Sequence, residues 1–481
     1  MTSRPVTPGP ITYVKVACHC GLNEFRAGFL TDQLPISNDL CHCNACRHSS
    51  GQMAVYHVSV ASLICSDTDE AFHVDGDGCK SPGGDGDLIA YRTSDDAVRY
   101  FCSICSAQLL FHYLGKPKEG EGSEKGKREG GFWCVAAGAL ERTEGIVKVG
   151  YHIWVEDTLD GGLAEHFRTV DGVDLPRYRG GAKTEQLPLG WHDLTPSSKS
   201  LNGSDDALYF ACHCRTLQFK VTRPNAQSYL PHSAFPDLMH PYDTTHLAKV
   251  RNSGDVKWWL RPLEAEHPAK YFSGHCACEY CRLTSGFEIQ SWAYVPRGNI
   301  IVESTGKSLA LQEAQKDEVE EVKEALERLG MRDDDLTPKA EEATMEDRTK
   351  GLRQYISGPG RYRESCQNCG ATAFAWQAGR PDLICVAVAL VDEAQAGSRA
   401  ETWFDWCLTR VSFMEQALSP KTVEGMVVSM KAVELEGREE QKIPLEEAKG
   451  LNGSAVPLST FTVKGKDTVQ EVVALVDELT A

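Results

Sequence analysis

The sequence predicts a mainly β protein made of two tandem copies of one domain, and three observations predict it. The cysteines occur in one order, CxC, then CxCxxCRxxSG, then CxxC, and the whole order appears twice. Short runs such as "MAVYHVSV", "LIAYRT" and "SWAYVP" are rich in β-branched and aromatic residues and end in Gly, Ser or Asp clusters, as short antiparallel strands do. At 481 residues the chain is also too long for one ordinary core.

Taken in order, the first copy contains "ACHCG" (Cys18, Cys20), "CHCNACRHSSG" (Cys41, Cys43, Cys46) and "FCSIC" (Cys102, Cys105). The second contains "ACHCR" (Cys212, Cys214), "CACEYCRLTSG" (Cys276, Cys278, Cys281) and "SCQNC" (Cys366, Cys369). Fourteen of the nineteen cysteines fall into this repeat, which is therefore a repeat of a whole domain. "FWCVAAGAL" and "LICVAVALV" follow each CxxC and read as buried strands, with Cys134 and Cys385 acting as small apolar residues within them. Cys65, Cys79 and Cys407 have no counterpart in the other copy.

The domains are expected at 12–190 and 207–415, joined by a linker at 191–206 and followed by an extension at 416–481. The second carries insertions near 225–270 and 308–350; in the latter, Val319, Val322, Leu326 and Leu329 fall at helical spacing under a charged face. "GKPKEGEGSEKGKREGG" has almost nothing to bury and reads as a disordered loop. "DTVQEVVALVDELT" reads as a short C-terminal helix.

A net charge of −18 opposes binding to nucleic acid or anionic lipid, and no apolar run is long enough to span a bilayer. The opening "MTSRPVTPGPITYVKVA" has no apolar signal-peptide core, so the expectation is a soluble cytoplasmic protein in which thiols stay reduced. The sequons at Asn202 and Asn452 are then idle. "DGDGCKSPGGDGD" fails as a calcium loop, because Lys80 stands where glycine is needed and no glutamate closes it. Neither a GxSxG nucleophile elbow nor a phosphate-binding loop is present.

Clustered cysteines in a reduced compartment point to metal. A structural zinc fills four positions with protein ligands, whereas a reactive one keeps a position open. Each copy supplies seven clustered cysteines, so one closed site leaves three thiolates for a second, open site. Spacing alone leaves the partition undecided, since Cys43 and Cys46 also form a CxxC knuckle able to pair with Cys102 and Cys105.

The cysteine order, followed by a short apolar strand and by "YHIWVEDTLDGG", resembles the glutathione-dependent formaldehyde-activating enzyme family, also called the centromere protein V domain, over 12–160 and 206–410. The resemblance implies two tandem zinc-pinned β-tent domains with about two zincs each. It places structural zinc on Cys18, Cys20, Cys102 and Cys105 and on Cys212, Cys214, Cys366 and Cys369. It places reactive zinc on Cys41, Cys43 and Cys46 and on Cys276, Cys278 and Cys281. Two departures bear on turn geometry: Ser106 stands opposite Gly370, and Arg215 opposite Gly21.

The resemblance implies a carbon–sulfur lyase-type activity, condensing formaldehyde with glutathione to S-hydroxymethylglutathione. An open zinc can hold a substrate thiol as thiolate or polarise an aldehyde, and three thiolate ligands weaken its Lewis acidity and favour thiolate delivery. Arg47 and Arg282 follow the third cysteine in each copy and either pair with a glutathione carboxylate or serve the local turn and the anionic centre. His19 and His213 lie between ligands and should point away from the metal, while His42 and His48 face Ala277 and Leu283 in the other copy. Any of these histidines, as a fourth ligand, would make the three-cysteine site closed. That outcome defines the rival reading, a non-catalytic zinc-binding interaction module; in a third, only one copy is active.

Overall fold

Alternating burial organises the first strands: Val14 and Val16 point inward while Tyr13 points out. The computed structural model describes residues 9–442 apart from 67–68, 73, 76–77, 80–87, 118–127, 194–205, 235–251, 264 and 310–350. Among the described residues the protein is mainly β.

In the first half, β1 (Ile11–Ala17), β2 (Glu24–Leu30) and β5 (Ser62–Cys65) form an antiparallel three-stranded sheet. A seven-stranded antiparallel sheet runs β4 (His57–Ser59), β13 (Phe132–Ala136), β10 (Gln108–Tyr113), β9 (Ala97–Cys102), β8 (Leu88–Ser94), β7 (Gly78–Cys79), β6 (Val74–Asp75). β3 (Ile36–Cys41) pairs in parallel with β14 (Val147–Ile153). Short hairpins join β11 (Lys116–Pro117) to β12 (Arg128–Glu129) and β15 (Thr169–Val170) to β16 (Val173–Asp174).

The second half repeats this pairing. β17 (Ala207–Ala211), β18 (Gln218–Thr222) and β22 (Ile300–Val302) form the small sheet. The large one runs β19 (Leu260–Arg261), β20 (Lys270–Cys276), β21 (Gln290–Pro296), β26 (Leu383–Ala387), β25 (Thr372–Gln377), β24 (Arg361–Cys366), β23 (Leu352–Gly358). β27 (Phe404–Trp406) pairs in parallel with β20, as β14 does with β3. Cys134 and Cys385 are both buried on matching strands, β13 and β26.

One continuous apolar cluster runs through both halves, from Val14 and Phe29 to Trp259, Phe374 and Val411. The halves meet through two short helices, α1 (Asn44–Ser50) and α3 (Glu279–Ser285). Each ends on a left-handed glycine, Gly51 at φ 77° and Gly286 at φ 82°. A side chain on Gly51 would overlap the carbonyl oxygen of Thr372, and one on Gly286 that of Gln108, so both must be glycine for the halves to touch. Reciprocal backbone bonds link His19 N to Leu283 O at 3.1 Å and His213 N to His48 O at 2.9 Å.

Both departures from the expected turn keep its backbone. Ser106 adopts φ 61° where Gly370 has 72°, and Arg215 adopts φ 62° where Gly21 has 74°. A non-glycine residue pays roughly 1–2 kcal/mol for this conformation, which the cysteine loops around it impose.

The extension contains a helix that the sequence reading did not anticipate. After the one-turn helices α2 (Leu163–His166) and α4 (Glu393–Ala396), α5 spans Pro420–Lys442. Val423, Met426 and Met430 bury one face, Gly425 lies against the backbone of Thr169, and Ser429 Oγ accepts from Arg168 N at 2.8 Å. The amphipathic stretch within 310–350, most of the 191–206 linker, the centre of the 115–131 loop and the C-terminal "DTVQEVVALVDELT" lie outside the described residues.

Candidate metal centres

Two tight loops assemble each four-cysteine group. In the first half, Cys18 N donates to Asn23 O at 3.2 Å and Cys102 N to Ala107 O at 2.9 Å, which turns the sulfurs of Cys18, Cys20, Cys102 and Cys105 toward one point. Cys212 N to Leu217 O at 3.0 Å and Cys366 N to Ala371 O at 2.8 Å do the same for Cys212, Cys214, Cys366 and Cys369. Sulfur separations are 3.5 Å for Cys18–Cys20, 3.8 Å for Cys18–Cys102 and 3.5 Å for Cys214–Cys366. A tetrahedron of sulfurs around an ion with ~2.3 Å bonds has edges of ~3.8 Å, so the donor set fits a metal ion.

The three-cysteine groups are built on a strand end and a helix start. Cys41 closes β3, Cys43 caps α1 with its Sγ accepting from Cys46 N at 3.4 Å, and Cys46 lies in the first turn. Cys276, Cys278 and Cys281 stand in the same places on β20 and α3, with Cys281 N 3.3 Å from Cys278 Sγ. Within each group the three sulfurs lie inside 4.8 Å of one another. Among the described residues, no fourth His, Cys, Asp or Glu atom joins either group.

In both groups the third cysteine is the most acidic. Hydrogen bonds from Cys41 and then Cys43 hold Cys46 well below the usual thiol range, and the nearby Arg99 adds to this. Cys276 and Cys278, with Arg363 behind them, do the same for Cys281. Cys43 and Cys278 are each pushed up to about 12, so the proton each retains in the free thiol group must leave before a metal takes all three sulfurs.

The groups differ in access. Cys41 and Cys43 are partly exposed, whereas Cys276, Cys278 and Cys281 are all buried, at 7%, 7% and 4% exposure.

The arginines after the third cysteine are occupied elsewhere. Arg47 is fully buried; its Nε donates to His42 O at 3.1 Å and its Nη2 lies 3.1 Å from Glu393 Oε2. Arg282 Nη1 donates to Gly138 O at 2.6 Å in the other half. Both sit among protein partners in the positions of turn and interface residues, and Arg47 Nη1 and Arg282 Nε are buried without a hydrogen-bond partner among the described residues.

Each histidine from the sequence reading also has a partner other than a cysteine. His19 Nδ1 lies 2.7 Å from Tyr355 Oη, His213 Nδ1 2.6 Å from Tyr91 Oη, His42 Nε2 2.9 Å from His152 Nδ1, and His48 Nδ1 2.7 Å from Ala211 O.

Two arginines that the sequence reading passed over stand beside the three-cysteine groups. Arg99 Nη2 donates to Cys46 Sγ at 3.0 Å, and Arg363 Nη2 to Cys281 Sγ at 3.5 Å. Their signal was present as "RYFC" and "RESC", an arginine three residues before the first cysteine of each CxxC.

Fold and sites together define a mainly β protein with four cysteine groups that can each hold a metal ion. Compared with protein-family models, curated proteins and solved structures, the chain matches none. Among the described residues, no helix is long and apolar enough to cross a membrane.

Proposed function

We propose that the protein is a zinc-dependent carbon–sulfur lyase-type enzyme acting on glutathione or a small thiol adduct, of the S-hydroxymethylglutathione synthase kind. It would comprise two tandem zinc-pinned β-tents, 12–190 and 207–415, with four zincs per chain. The observation that carries this reading is the pair of three-cysteine groups that no fourth protein ligand joins among the described residues.

Cys18, Cys20, Cys102 and Cys105, with their second-half counterparts, would hold structural zinc. Cys41, Cys43 and Cys46 would hold the reactive one. Zinc on three thiolates supplies a vacant position that binds a substrate thiol and lowers its pKa. Cys46 contributes the sulfur most ready to be a thiolate, and Arg99 offsets part of the negative charge that three sulfurs bring together. Cys41 and Cys43 are partly exposed, which favours access of a small thiol to this centre.

The second centre supports a different role. Burial of Cys276, Cys278 and Cys281 limits access by a substrate thiol, so we assign turnover to the first centre and a non-catalytic role to the second. Exchange NMR with glutathione and formaldehyde tests this. Zinc-loaded wild type should speed the interconversion of free species and S-hydroxymethylglutathione, Cys43→Ser should abolish the acceleration, and Cys278→Ser should retain it. No acceleration by zinc-loaded wild type would reject this substrate pair.

A further inference from the structure

Arg99 lies on β9 with only 2% of its surface exposed. One of its five donors is used on Cys46 Sγ, at 3.0 Å. Its Nε and Nη1 are both buried without a hydrogen-bond partner among the described residues. Several buried arginines there have one such nitrogen, and Arg99 alone has two. The guanidinium lies over the ring of Phe111, 5.1 Å from its centroid, which restrains it from turning out to water. An unpaired buried donor costs roughly 1–3 kcal/mol, more on a charged group, so two of them beside a reactive sulfur are groups held ready for an acceptor.

We propose that Arg99 binds an oxyanion of the ligand that occupies the first three-cysteine centre. The ligand class is a small thiol with a carboxylate, or the oxygen of an aldehyde adduct, two or three bonds from sulfur. A ligand sulfur that joins Cys41, Cys43 and Cys46 is a neighbour of Cys46 Sγ, and Arg99 is already hydrogen-bonded there. Arg47, the arginine adjacent in sequence, is turned to His42 O and Glu393 instead. Arg363 repeats the arrangement beside Cys281, but all three cysteines there are buried and Arg363 has one unpartnered nitrogen where Arg99 has two, so the role belongs to Arg99. This inference rests on the open-centre reading above.

The test uses the full chain loaded with cobalt and titrated with mercaptoacetate or with 2-mercaptoethanol, a neutral thiol of the same length, reading the visible cobalt bands. Wild type should bind mercaptoacetate on the order of tenfold more tightly or better, the effect of a charge-assisted hydrogen bond. In Arg99→Gln the ratio should fall to about one, and in Arg363→Gln it should stay at the wild-type value. No preference in wild type, a preference that survives Arg99→Gln, or one that is lost in Arg363→Gln would each overturn the assignment of Arg99 while leaving an open centre in place. Bands unmoved by either thiol would overturn both the open centre and this proposal. Should Arg99→Gln fail to fold, Arg99→Lys keeps the charge but loses the planar fork that carries Nε and Nη1, and a ratio there equal to the wild type's would overturn the proposal.

Discussion

The hydroxyl of Tyr355 lies 2.7 Å from Nδ1 of His19, on the four-cysteine loop of the opposite half, and Tyr91 meets His213 at 2.6 Å in the reciprocal contact. Each half thus braces the other half's four-cysteine loop. Removing both hydroxyls with Tyr91→Phe and Tyr355→Phe should cost about 2 kcal/mol in total, at about 1 kcal/mol per hydrogen bond. Urea unfolding of the metal-loaded protein measures the change, and a stability equal to the wild type's would show the braces to be idle.

Gly51 and Gly286 carry the closest approach between the halves. Gly51→Ala adds both a left-handed backbone penalty and an overlap with the Thr372 carbonyl, and should destabilise by roughly 2–4 kcal/mol. Gly21→Ala is the comparison: its φ is also positive, but an added side chain meets nothing within 4 Å, so the loss should stay near 1 kcal/mol. Thermal melts of the two variants decide it.

Access separates the three-cysteine centres chemically. Brief exposure of the metal-free protein to iodoacetamide, followed by peptide mass spectrometry, should modify Cys43 well before Cys278, because the two thiols are equally raised and differ in access. Equal rates would remove the distinction between an open and a sealed centre.

Burial raises the carboxyl of Glu288 to about 7, against a bond from Ser419 N at 2.5 Å and the pull of Arg282, both of which lower it. The folded state therefore holds a proton that the unfolded chain releases near pH 4.5. From Glu288, stability is fully present below about pH 4.5 and is lost as pH rises through about 7. Glu288→Gln should flatten the fall in stability between those values and leave the variant more stable than wild type at pH 8, by roughly 2–3 kcal/mol. Urea midpoints measured across that range check the sign.

The cysteine centres were legible because metal ligands on loops and helix starts obey local spacing: CxC and CxxC each place two sulfurs on one turn, and the duplicated order paired the clusters. The grouping of Cys18 and Cys20 with Cys102 and Cys105 depends on β1 and β9 coming together, a long-range contact that spacing alone left open. Arg99 was harder to read for another reason, although an arginine stands three residues before each CxxC. Within "AVRYFC" it reads as an ordinary strand residue, and only the fold brings its end to Cys46. The α5 helix was hidden by Gly425 and Gly437, which weaken a helical reading, although Gly425 is what lets the helix approach Thr169. The docking of α1 and α3 across the halves left a mark in each SG pair, whose glycine reads as a helix stop and serves the interface as well.

X-ray absorption at the zinc edge tests the central claim most directly, because it counts sulfur neighbours. Two four-cysteine and two three-cysteine centres predict four zincs per chain with about 3.5 sulfurs each on average, rising to about 3.75 when glutathione adds its thiol at the first three-cysteine centre. Two zincs per chain, or a sulfur count that glutathione leaves unchanged, would contradict an open three-thiolate site.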